Sequence, residues 1–193
     1  MLYGSEFKLT ILNLFRQSLE VAGRMKGLLF LMLVLYIASF LSGWLFISAG
    51  YDFAEEIKEG IQQSVLTQQP FTSILESLSS GNLVVAVVTT FAVNLCVGAF
   101  LTTTLPGAFP MLGILGIATI TVMRGFLIGL IYPEVLVYSP STFIVAFGTM
   151  VLELGGYVFS GAAGINISLA LIFPKRYDTK SRWLALKLSL IHI

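Results

Sequence analysis

The sequence predicts an all-α fold: a polytopic transmembrane helix bundle of about four spanning helices, with amphipathic helices in the membrane interface. Hydrophobic residues make up 56% of the 193 and charged residues only 11%, with a mean hydropathy of +0.92. A soluble core of this length requires far less apolar matter. Those residues are gathered into uncharged runs, and about 20 apolar residues suffice to cross a bilayer's hydrocarbon. The charges, finally, are segregated: nine of the eleven basic residues lie in the two end segments.

Residues 1–26 form an N-terminal segment in which Phe7, Ile11, Phe15 and Leu19 recur every four residues, the pattern of an amphipathic helix. The first spanning helix is expected at 27–49, an uncharged run of 23 residues. A cleaved signal is the rival reading, but its apolar region is shorter, about 7 to 15 residues, and lies nearer the N-terminus. Residues 51–81 carry Asp52, Glu55, Glu56, Glu59 and Glu76 against Lys58 alone, and Phe53, Ile57, Ile61 and Val65 again recur every four residues. That segment reads as an outer amphipathic helix, ended by Pro70 and followed by a short second helix.

The next uncharged stretch, Asn82 to Met123, is too long for one crossing and is interrupted at "LPGAFP" by Pro106 and Pro110. Two helices, 83–104 and 108–131, joined by a tight turn are expected. The last apolar stretch supplies a fourth spanning helix at 143–173, long enough that it must tilt, bend near "SGAAG" or project from the lipid. The basic residues Lys8, Arg16, Arg24 and Lys26, with Lys175, Arg176, Lys180, Arg182 and Lys187 in the C-terminal segment 175–193, assign both termini to the cytoplasmic side of a cell membrane. Links this short leave no room for a second globular unit, so residues 1–193 count as one membrane domain.

Three polar residues fall within the apolar runs: Asn94, Arg124 and Glu153. A charge inside a bilayer costs about 2.5 to 3.5 kcal/mol on insertion scales, so such groups face protein or water and find partners. At about 1.5 Å per residue all three reach a similar depth near mid-membrane. The spacing therefore predicts an Arg124–Glu153 ion pair completed by Asn94. Small residues accompany it. Gly156, Ser160 and Gly164 follow Glu153 on nearly one helix face, Gly161 lies in the same "SGAAG" stretch, and Gly125 and Gly129 form a GxxxG pattern directly after Arg124. Such residues allow close backbone approach where lipid offers no hydrophobic drive for association. The cluster admits three readings: a polar contact that fixes helix register, a cation or proton site lining a path, or a pair formed across a homo-oligomer interface.

Other chemistry is sparse. One cysteine, Cys96, and one histidine, His192, build neither a disulfide nor a metal site. No phosphate loop and no nucleophile with a plausible base are present. No catalytic residue, cofactor, metal or nucleic-acid partner is expected; the partners expected are the lipid bilayer and other membrane or envelope proteins.

The chain resembles the stage II sporulation protein M family of bacterial and archaeal membrane proteins over roughly residues 10 to 185. The resemblance is carried by "FAVNLCVGAFL" (91–101), "MRGFLIG" (123–129) and, most clearly, "LELGGYVFSGAAG" (152–164), where Glu153 precedes Gly161 by eight residues. Two positions depart from the family pattern: Thr149 stands where relatives often place histidine, and Arg124 where they place asparagine. A histidine–glutamate site therefore does not carry over. Relatives tend to end in another spanning helix, whereas the eleven residues after Arg182 cannot cross alone. The resemblance implies a non-enzymatic component of a membrane complex, a scaffold that recruits partners. A small transporter or channel using the Glu153 and Arg124 site is the alternative.

Overall fold

The computed structural model describes residues 16, 19–135 and 140–191. Among them the regular elements are all helical. The expected N-terminal series at Phe7, Ile11 and Phe15 lies outside the described residues, as does His192. Four helices are long and apolar enough to cross a membrane: Lys26–Ser48, Leu83–Ala108, Pro110–Tyr132 and Phe147–Ile172.

The first of these, α1 (Lys26–Ser48), is apolar on all sides, as suits a helix flanked by both protein and lipid. Gly50, at a φ of +72°, supplies the left-handed turn that leads to α2 (Asp52–Thr67). Asp52 and Glu55 stand in the first turn of α2, where the helix dipole favours acids. Gln68 is extended, Pro70 caps α3 (Phe71–Ser79), and residues 51–81 thus contain the helix pair that their sequence predicts. The Asn82 side chain accepts from the Val85 amide at the start of α4 (Leu83–Val93).

Beyond α4 the chain differs from expectation. The helix does not stop at residue 104. It widens into a π-helix over Asn94–Thr104, tightens into a 3-10 turn over Leu105–Ala108, and is separated by Phe109 alone from α5 (Pro110–Val135). Three consecutive threonines make this winding tolerable in an apolar setting. Thr102 donates its hydroxyl to the Gly98 carbonyl at 2.7 Å, and Thr103 and Thr104 both donate to Ala99. Hydroxyls of this kind satisfy carbonyls that an irregular helix leaves short of partners. The fourth spanning element, α6 (Pro140–Ile172), runs unbroken through Gly161 and Gly164. Its 33 residues exceed what a hydrocarbon core of about 30 Å needs. A 3-10 turn at Pro174–Tyr177 then leads to the short helix α7 (Arg182–Ile191).

Helices α1, α5 and α6 form the core, centred on Met32, Tyr36, Ile117, Tyr157, Val158, Ala162 and Ile165. Glycines set the distances. A Cβ at Gly129 would overlap the Phe40 carbonyl oxygen, one at Gly43 the Phe126 carbonyl oxygen, and one at Gly125 would lie 2.8 Å from both Ser39 Cβ and the Tyr36 carbonyl oxygen. The GxxxG of α5 thus meets a matching small pair, Ser39 and Gly43, on α1. On α6, Gly164 faces the Thr103 carbonyl oxygen and Gly161 the Met32 thioether. Ser168 donates to the Gly107 carbonyl at 2.9 Å, fixing the 3-10 turn against α6. Gly156 departs from its expected packing role: a Cβ there would meet nothing within 4 Å. Its face of α6 opens onto a cleft.

Gly129→Ala and Gly43→Ala should each destabilise the purified protein by about 1–3 kcal/mol, because the added methyl meets backbone that cannot step aside. Gly116→Ala, where a Cβ has open space, should be neutral or slightly stabilising. Thermal unfolding in detergent distinguishes the two sets.

Candidate functional site

The three intramembrane polar residues do converge, on a site bounded by the π-helix, α5 and α6. Arg124, half-buried, reaches the π-helix. Its Nη1 donates to the Gly98 carbonyl at 2.9 Å, and its Nη2 donates to Thr102 Oγ1 at 2.5 Å. The Thr102 hydroxyl donates in turn to the same Gly98 carbonyl, so three groups share a closed set of hydrogen bonds. The guanidinium also lies over the Tyr157 ring, 4.2 Å from its centroid. A desolvated contact of this kind contributes about 2 kcal/mol. From α1, buried Tyr36 completes the wall on this side.

Glu153 has a different partner. Its Oε1 accepts from the Tyr157 hydroxyl at 3.0 Å, and the same hydroxyl stands 3.3 Å from Asn94 Oδ1. One phenolic proton serves one acceptor at a time, and the shorter, acidic one is favoured. Among the described residues Arg124 and Glu153 make no direct ion pair. The expected pairing is corrected accordingly: Tyr157 stands between the charges, its ring against the guanidinium and its hydroxyl on the carboxylate. The physical reason is local. The π-helix presents Arg124 with a carbonyl and a hydroxyl on one side, while Glu153 finds Tyr157 one turn along its own helix.

Gly98 makes room for this arrangement, since a Cβ there would sit 2.7 Å from the Tyr157 hydroxyl. Ser160, one turn further along α6, donates to the Tyr157 carbonyl at 3.2 Å, and its hydroxyl oxygen lies 2.8 Å from that of Thr103, whose one proton serves either Ser160 or the Ala99 carbonyl. The π-helix and α6 therefore meet in polar contacts at Asn94 and Thr103, and Arg124 of α5 links both, through the Gly98 carbonyl and the Tyr157 ring. Tyr157, Thr102 and Gly98 are the residues that composition and depth alone pass over. The i, i+4 spacing of Glu153 and Tyr157 was the available signal.

Comparison of the chain with protein-family models, curated proteins and solved structures finds no match.

The site is asymmetric. Glu153 and Asn94, but not Arg124, border a lateral cleft of about 530 Å³ whose other walls include Thr90, Phe91, Leu152 and Gly156. Around that opening the surface is apolar: Val87, Val88, Phe91 and Leu95 on the second span, and Val151 and Leu152 on α6, are all exposed. An acid and an amide thus line an apolar opening, where the Thr90 hydroxyl is engaged with the Ala86 carbonyl at 2.9 Å.

Tyr157→Phe keeps the ring under Arg124 but withdraws the donor from Glu153, and should destabilise the protein by about 1–3 kcal/mol. In double-mutant cycles read by thermal unfolding, the Tyr157→Phe and Glu153→Leu pair should couple by at least about 0.5 kcal/mol. That coupling should exceed the one between Arg124→Met and Glu153→Leu. Additivity of the Tyr157 and Glu153 changes would contradict the bridging role.

Proposed function

We propose that this chain is a non-enzymatic scaffold of a membrane complex, with both termini on the cytoplasmic side, that presents its second span to another membrane protein. One observation carries the reading: only 11% of the apolar window of Leu83–Ala108 is buried, the least of the four spans, against 22% for Lys26–Ser48, 28% for Pro110–Tyr132 and 61% for Phe147–Ile172. The last span is embedded in the core, while the second is attached by the polar contacts just described and leaves most of its apolar surface outward. Lipid can cover apolar side chains, but it offers no hydrogen bonds to Glu153 and Asn94, which line the cleft. A partner helix carrying a donor at that depth supplies both coverage and hydrogen bonds. The proposal accords with what the resemblance to the stage II sporulation protein M family implies.

The cleft also favours a second reading, transport, in which Glu153 lines a path for a cation or proton. The two differ in what Glu153 is for. Under the scaffold reading, photo-crosslinkers at Val87 or Phe91 should capture a membrane protein in native membranes, whereas one at Leu31, exposed on α1, should not. Glu153→Gln should reduce that capture at least severalfold, and reconstituted vesicles should show no Glu153-dependent flux. Flux that Glu153→Gln abolishes in a protein of unchanged melting temperature would contradict the scaffold and establish the transporter.

A further inference from the structure

At the basic end of the bundle, a pocket of about 310 Å³ is lined by Arg24, just before α1, by Asn166 on α6, and by Arg176, Tyr177 and Asp178 beyond it. Among the described residues, two guanidinium groups and one carboxylate line the pocket. Lys175 lies alongside in sequence, and Tyr177 donates to Asn166 Oδ1 at 2.7 Å, which ties the turn to α6. Exposed Trp183 follows on α7 with Lys187 over its ring. Tryptophan and basic residues in this pattern mark the headgroup level of a bilayer.

A second, apolar hollow of about 460 Å³ is lined by Val21, Met25, Leu95, Phe100, Phe159 and Ala163, with Gly156 at one end. Met25 lines both spaces. On α6, Gly156, Ser160, Ala163 and Asn166 follow at steps of four, three and three, so one helix face runs from the apolar hollow into the basic pocket. The ten residues from Gly156 to Asn166 span about 15 Å, which is half of a hydrocarbon core of about 30 Å. A basic pocket at headgroup level thus continues into an apolar furrow as deep as one leaflet.

We propose that this combined surface binds one anionic phospholipid of the leaflet at the basic end, its phosphodiester between Arg24 and Arg176 and an acyl chain along α6 as far as Gly156. Charge favours an anionic headgroup: among the described lining residues the basic groups, Arg24 and Arg176, outnumber the one acid, Asp178. Guanidinium groups suit phosphate oxygens through paired N–H donors. Asp178 adds an acceptor for a headgroup hydroxyl. Basic pockets between helices at the membrane surface are recurrent sites for anionic headgroups. The proposal rests on the membrane placement of the bundle and is independent of any protein partner.

Native mass spectrometry of the purified full chain in detergent, titrated with phosphatidylglycerol or phosphatidylcholine of equal chain length, tests it. One phosphatidylglycerol per chain should be retained at least about tenfold more tightly than phosphatidylcholine. Arg24→Gln with Arg176→Gln should remove most of that preference, on the scale expected for two basic residues at an anionic surface. Lys180→Gln with Arg182→Gln should change affinity less than about twofold, since those residues lie outside the pocket. Gly156→Leu, whose side chain has open space, should fill the furrow and weaken both lipids alike. Equal binding of the two lipids, or an equal loss from the Lys180 and Arg182 pair, would overturn the proposal. Displacement by millimolar inorganic phosphate would reassign the pocket to a soluble anion, and an inert Gly156→Leu would remove the acyl chain from the furrow; either result contradicts it. No readout here involves a protein partner, so failure of the scaffold reading leaves these outcomes unchanged.

Discussion

The hydrogen bond from Arg124 to the Gly98 carbonyl, 2.9 Å long, ties the charge of α5 to a stretch of helix wound widely enough to share a carbonyl with side chains. A guanidinium in an apolar interior needs several acceptors, and regular helices offer few because their carbonyls are engaged within the helix. The π-helix from Asn94 to Thr104 changes that supply. Gly98 accepts from both Arg124 and Thr102, and the two threonines that follow satisfy the next carbonyl. π-Helical turns are uncommon and concentrate where a side chain or ligand uses the altered backbone. Here the user is a side chain of the neighbouring helix.

Placement of Arg124 fixes what surrounds it. Its guanidinium occupies one face of the Tyr157 ring, which aims the hydroxyl toward Glu153 and Asn94. Close approach of α1 to α5 through Gly43, Gly125 and Gly129 holds the helix that carries the charge, and Gly161 and Gly164 hold α6. The stripe of small residues on α6 therefore has two uses. Its lower part packs against α1 and the π-helix, whereas Gly156 leaves a space unfilled beside the acid. One half of the helix is packed and the other is open, and that division separates the core from the cleft beside Glu153.

Much of this was legible in the sequence. The four long apolar helices follow from run length, the break at Pro70 from proline's constraints, and the convergence of Asn94, Arg124 and Glu153 from equal depth. The contact of Gly125 and Gly129 with another helix follows from their spacing. What the pattern could not convey depends on tertiary fit. An apolar helix in an apolar environment has no stripe to reveal its neighbour, so the matching pair Ser39 and Gly43 on α1 passes unnoticed. The π-winding arises from local threonines and a distant arginine together, and no periodicity of "NLCVGAFLTTT" announces it. Depth placed two opposite charges at one level but gave no information about their rotation around the helix axes, and the intervening space goes to Tyr157. Gly156 failed as a packing residue for the same reason, since position on a face does not determine whether a neighbour occupies it.

The bridging of the two charges by Tyr157 is the central claim, and inter-residue distances in a lipid bilayer test it most directly. Solid-state NMR on protein labelled in arginine, glutamate, glycine and tyrosine reports whether the Arg124 guanidinium lies closest to the Gly98 carbonyl and the Tyr157 ring. The bridged arrangement predicts short distances from Arg124 to both, with the Glu153 carboxylate near the Tyr157 hydroxyl and out of direct reach of Arg124. A direct contact between Arg124 and Glu153, with the Tyr157 ring displaced from between them, would contradict it.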